Sequence, residues 1–166
     1  MIFYVDGACS GNGYTEYATG GFGVVGLINN IGVYYYSEGC EKTTNNREEL
    51  KAILFVMKRF GVKEKTFEQV SEEYYPIVYS DSAYSVNVFN EWMFHWADHA
   101  WKKADGKTPE NLDIIDEYYK LYRQGYRIDL RHVKGHAGNY WNELADRMAK
   151  SAKDKQRTVE VDCRDE

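Results

Sequence analysis

Short apolar runs and longer stretches of helical spacing alternate along the chain. Ile2-Phe3-Tyr4-Val5 and Ile77-Val78-Tyr79-Ser80 are brief runs, β-branched or aromatic, stopped by acids, which is the pattern of buried strands. Residues 22–28 and 31–37 flank Asn29-Asn30, a two-residue hairpin signal, so with 2–6 they form an antiparallel meander. A helix follows, capped by Asn45 or Asn46 with Glu48 or Glu49 three residues on as a capping box, and it stops near Gly61. Residues 62–75 are charged and without period, an extended connection, and Pro76 opens a fourth strand. Helical patterns cover 82–100 and 110–123, separated by a loop at Asp105-Gly106-Lys107, with Gly125 as the second stop. A fifth strand at 126–133 and a helix at 141–154 complete the order. This predicts one α/β domain over 1–155, a five-stranded mixed sheet (three antiparallel strands, then two parallel) flanked by helices. The charged tail 156–166 is expected to be disordered.

Four acids stand where that pattern makes them costly. Asp6 and Asp81 end the two apolar runs, Glu49 shares a helix stripe with Ile53, Val56 and Phe60, and Asp146 borders the apolar face of the last helix. Carboxylates are rarely buried unless paired or bound to metal. Four that converged would repel one another unless divalent cations lay between them. Magnesium suits such a set, being a hard ion that takes oxygen ligands. A pair of such ions about 3.5–4 Å apart can clamp an in-line displacement at phosphorus. No serine or cysteine has a recognisable base partner, so a covalent nucleophile is not indicated.

Composition narrows the setting. The chain has 166 residues, enough for one domain with a real core. No apolar run approaches the roughly 20 residues that span a bilayer, and the first strand begins at once, leaving no room for a signal segment. Cys9, Cys40 and Cys163 are odd in number and lack a C-x-x-C pair, which favours reduced thiols and a cytoplasmic location. The net charge of −5 offers no bulk attraction to a polyanion, so nucleic acid would have to be held by local geometry and metal.

The stretches Y-V-D-G-A-C-S-G-N-G at 4–13, T-T-N-N-R-E-E-L at 43–50, Y-S-D-S at 79–82 and V-K-G-H-A-G-N-Y-W-N-E-L-A-D at 133–146 resemble the type 1 ribonuclease H family, in its order and over roughly residues 1–153. The resemblance implies the ribonuclease H-like fold and a monomeric endonuclease cutting the RNA strand of RNA/DNA hybrids to 5′-phosphate and 3′-hydroxyl ends. It implies two Mg2+ (or Mn2+) held by Asp6, Glu49, Asp81 and Asp146. His136, in a glycine-flanked loop, would be the mobile histidine that assists proton transfer or product departure, which imidazole can do near neutral pH.

The same resemblance sets Asn12, Asn45 and Asn46 against the hybrid's minor groove, Thr44 near a DNA phosphate and Cys9 beside the substrate. Contacts with 2′-hydroxyls are how RNA is told from DNA. These residues equally suit turns, caps and small packing sites. Trp92, Trp96 and Trp101 with Lys102, Lys103 and Lys107 fall where several bacterial relatives carry a basic protrusion, although packing alone would also explain the tryptophans. Here Glu91, Asp98 and Asp105 offset the three lysines. The loop from Gly13 to Thr19 and the connection 62–75 are longer than is usual among bacterial relatives. Rival readings are a catalytically silent hybrid-binding module and a DNA junction resolvase on the same fold. The retained acids oppose the first, and the T-T-N-N-R-E-E-L and G-H-A-G blocks oppose the second.

Overall fold

A computed structural model describes residues 1–13, 18–64 and 75–164. The meander is β1 (Ile2–Cys9), β2 (Gly20–Ile28) and β3 (Ile31–Cys40), each longer than its apolar run alone indicates. Asn29 and Asn30 both adopt positive φ (51° and 65°), as a two-residue hairpin turn with matching twist requires. α1 (Asn45–Phe60) leads to β4 (Val62–Lys63) and then β5 (Ile77–Ser80). α2 (Ala83–Asn87) runs through a π-helical turn, Val88–Trp92, into α3 (Met93–Asp98). α4 (Leu112–Arg123), β6 (Tyr126–Arg127), β7 (Asp129–His132), α5 (Tyr140–Lys155) and β8 (Val159–Asp162) follow.

The main sheet has the order β7-β5-β1-β2-β3-β8. β1, β2 and β3 pair antiparallel, and β5 and β7 join parallel, as expected. Strand alternation divides the core between the two faces. Phe3, Val5, Phe22, Val24 and Tyr34 pack with α1, whereas Ile2, Tyr4, Val25, Leu27 and Tyr35 pack with Trp141, Leu144, Ala145 and Met148 of α5. Among the described residues, no helix is long and apolar enough to cross a membrane.

Four local expectations need correction. The cap of α1 is Thr44, whose side chain accepts from Arg47 N at 3.1 Å, not Asn45 or Asn46, and Glu48 turns inward instead of closing a capping box. The expected fifth strand breaks at Ile128: Tyr126–Arg127 pairs with β4, and only Asp129–His132 enters the main sheet. The connection 62–75 therefore starts as a strand, while 65–74 lies outside the described residues, as does most of the long loop after Gly13.

The tail is the fourth. Gln156 takes a left-handed conformation (φ 50°, ψ 50°) that ends α5 and sends the chain back. β8 then adds a sixth strand antiparallel to β3, covering an edge that would otherwise be open. Glu160 fastens it from the α1 face, accepting from the buried Tyr34 hydroxyl and from Arg59 Nη2 at 2.8 Å. Replacing Glu160 by Ala should therefore cost about 1 kcal/mol or more in urea unfolding, the usual worth of such a hydrogen bond. A disordered tail would show no change.

Candidate active site

Each of the four acids reaches the same end of the sheet by a separate constraint. Asp6 stands in phase with Ile2 and Tyr4 on β1. The parallel register Val5↔Ser80 puts Asp81, the residue after β5, beside it. Ser82 takes the capping duty of α2, accepting from Ser85 N at 3.1 Å, so the Asp81 carboxylate is left for the cleft. Glu49 arrives because α1 lies against the backbone of Gly7, where a Cβ would meet Glu49 N at 2.5 Å. Asp146, on α5, lies against Asp6 from the other side and pairs with Lys150 Nζ at 3.0 Å.

Asp6, Glu49 and Asp81 each offer an oxygen within 4.8 Å of the other two, while Asp146 flanks the trio. Asp6 and Glu49 are buried, at 4% and 6% exposed. Burial pushes the Asp6 carboxyl up to about 8; Glu49, hydrogen-bonded to it, opposes the rise, and Asp81 and Asp146 add to it. Burial, then the neighbouring Asp6, also raises Glu49 well above the ordinary carboxylate range. Gly7 N–H donates to Asp6 Oδ1 at 3.0 Å. Among the described residues, the buried Glu49 Oε2 has no hydrogen-bond partner. An all-oxygen set with an orphaned lone-pair site suits a hard divalent cation.

These acids form the floor of a cleft of about 500 Å3. Cys9, Asn45, Asn46 and His136 also line it, so eight of the residues singled out from sequence come together. His136 is exposed and at positive φ (54°), in a loop that presses on Asp81 at Gly135, where a Cβ would meet Asp81 Oδ2 at 2.8 Å. Thr44 is exposed and serves as the helix cap, outside the cleft lining. Asn12 belongs to the turn Ser10–Gly13, and its side chain lies outside the described residues. Sequence reasoning missed Lys150 and Lys153, which line the cleft. Their spacing from Asp146, four and seven residues on one helix, was the available signal.

The aromatic constellation is elsewhere. Trp92, Trp96, Lys102 and Lys103 line a separate groove with His95 and His99. All three tryptophans are half-buried against the main core, Trp92 6.0 Å from Tyr84 and Trp101 edge-on to Tyr119 at 5.2 Å. Lys102 donates to Thr108 Oγ1 at 3.0 Å and Lys103 faces Asp105 at 3.9 Å.

Known proteins share this arrangement of chain and fold. Residues 1–154 match the family described as RNase H. The ribonuclease H of Francisella tularensis subsp. novicida (strain U112) is 36% identical over 153 residues, covering 92% of this chain and 90% of that protein. That of Chlorobium phaeovibrioides (strain DSM 265 / 1930) is also 36% identical over 153 residues, covering 92% and 94%. LC9-RNase H1, a type 1 RNase H with the type 2 active-site motif, superposes with a TM-score of 0.77 at 27% identity, covering 97% of this chain and 76% of that one. LC11-RNase H1, solved with an RNA/DNA hybrid, shares the fold at a TM-score of 0.62 and 20% identity, covering 93% and 96%. With the match running along nearly all of its length, the chain belongs to the RNase H family and is a hydrolase of that family.

Proposed function

We propose that this chain hydrolyses the RNA strand of RNA/DNA hybrids, leaving 5′-phosphate and 3′-hydroxyl ends. The observation that carries the reading is the buried acid trio with its unpartnered Glu49 oxygen, set at the floor of an open cleft. Asp6, Glu49, Asp81 and Asp146 would hold two magnesium ions, with manganese an alternative. Ions so held supply a water acidic enough to lose its proton near neutral pH and neutralise charge on the phosphate. The bond between phosphorus and the 3′-oxygen breaks as water adds to phosphorus. His136, at the cleft rim, delivers a proton to the departing 3′-oxygen.

The walls account for selectivity. Asn45 and Asn46, exposed on the lip, offer amide groups to 2′-hydroxyls in the minor groove. Lys150, paired with Asp146, and Lys153, beside Asp154, also line the cleft and present ammonium groups to phosphate. The tryptophan groove is separate from the acid cleft and its Lys103 faces Asp105, so its grip on a hybrid is weak.

Labelled hybrid, duplex DNA and a four-way DNA junction, each with magnesium, test the reading directly. Only the RNA strand of the hybrid should be cut; cleavage of the junction would transfer the chain to the resolvase class, and binding without cleavage to the silent module.

Asp6→Asn should abolish cleavage and leave the fold intact. It should also change the dependence of stability on pH. A carboxyl raised from 3.8 to about 8 on folding contributes stability that is complete below the lower value and lost as pH rises through the upper one. In EDTA, parent and Asp6→Asn should melt alike near pH 4, and the variant should melt several degrees higher at pH 8. Magnesium should raise the parent's melting temperature and not the variant's. Robust magnesium-dependent cleavage by the variant would remove Asp6 from the metal site.

His136→Ala should slow turnover about 10²-fold without stopping it, the scale of a positioned acid or base. Unchanged rates in both single-turnover and steady-state assays would return His136 to the ordinary surface.

A further inference from the structure

The first turn of α1 holds a second buried acid that the metal reading does not use. Glu48 is 0% exposed and does not line the cleft. Its carboxylate accepts from Thr43 Oγ1 at 2.7 Å and from Lys51 Nζ at 3.0 and 3.3 Å. A buried ion pair is often no more stabilising than apolar side chains of similar volume, so stability alone is a weak reason for this acid. Its importance lies in what it fastens.

Thr43 is itself only 3% exposed and is a junction of three segments. Its N–H donates to Ala18 O at 3.0 Å, on the approach to β2. Its carbonyl accepts from Cys9 Sγ at 3.5 Å, at the end of β1. The next residue, Thr44, caps α1, and Asn45 and Asn46 on the cleft lip follow at once. Movement of Thr43 would shift Cys9, the cap and both asparagines together. The Thr43 hydroxyl is held by Glu48 from beneath, on a helix that the close approach at Gly7 prevents from sliding.

We infer that Glu48 is a positioning residue: through Thr43 it fixes the cleft lip of Cys9, Asn45 and Asn46 over the acid floor. The inference rests on the hydrolase reading of that cleft, and it assigns Glu48 to substrate binding more than to the chemical step.

The test compares the parent with Glu48→Met, Thr43→Val, the double variant and Glu48→Gln. Steady-state cleavage of a labelled hybrid with magnesium gives KM and kcat, and amide exchange of the metal-free proteins reads the lip without activity. Glu48→Met and Thr43→Val should each raise KM roughly fivefold, the scale of one lost hydrogen bond, with kcat within about twofold of the parent. The double variant should be no worse than Glu48→Met, because Thr43→Val removes only a contact that Glu48→Met, which also frees Lys51, has already removed. Glu48→Gln, whose amide oxygen still accepts from Thr43, should keep nearly the parental KM. Exchange at the Thr43 amide should quicken roughly tenfold in Glu48→Met and Thr43→Val, while Ile53 and Val56 in mid-helix stay protected. Parental KM and parental Thr43 exchange in Glu48→Met would overturn the inference. So would losses in KM and kcat that track melting temperature across all the variants, Glu48→Gln included. A parent that cuts no hybrid defeats the functional reading separately, and Thr43 exchange then decides the positioning by itself.

Discussion

Two carboxylates are buried side by side at the floor of the cleft, and the arrangement around them follows from that constraint. Asp6 and Glu49 are both buried and Asp6 raises Glu49's cost of ionising, so the backbone has to hold the pair together. Gly7 is the lever: its missing Cβ lets α1 lie against β1, and the same residue's N–H donates to Asp6. The parallel register of β1 and β5 adds Asp81 from a strand end, which cannot easily retreat. A site assembled from strand ends and a clamped helix is rigid before anything binds, which is what an ion of strict coordination geometry requires.

Charge is then distributed by depth. The floor is acidic, the lip is neutral and amide-bearing, and one wall carries Lys150 and Lys153. Asp146 raises Lys150, and among the described residues it is the one of the four acids in an ion pair. This moderates the repulsion between a chain of net charge −5 and a polyanion: Asp6 and Glu49 are recessed, and the Lys150 side chain is more exposed than the Asp146 it pairs with. Under the proposed reading, a phosphate meets lysine first and the acid floor only with a cation between them.

Much of this was legible in the sequence, and the failures have physical causes. Asp6, Glu49, Asp81 and Asp146 could be found because an acid that terminates or shares an apolar run violates local patterning, and such violations mark functional positions. The Asn29-Asn30 turn was legible because only a few residue types tolerate two successive positive φ values. β8 was not, because V-E-V-D is exposed throughout and its strand character comes from the vacant edge of β3, a partner far away in sequence. The break at Ile128 likewise depends on Val62–Lys63 competing for Tyr126–Arg127. Thr44 displaced Asn45 as the cap because three adjacent residues all suit the role and only the approach of the chain selects among them.

Glu48 and Glu49 show how burial alone misleads and satisfaction decides. They are neighbours in one helical turn, both acids and both buried, and the capping-box pattern fits either, although only Glu49 shares the apolar stripe. Helix geometry turns them about 100° apart, onto different surroundings. Glu48 meets a hydroxyl and an ammonium that saturate its oxygens, the condition of an acid used for structure. Glu49 meets two other acids and keeps an oxygen with no partner, a cost that persists in the folded chain unless something arrives from outside to relieve it. On the proposed reading, the satisfied acid holds the lip in place and the unsatisfied one is left to take a cation, so adjacent residues of the same type divide positioning from chemistry.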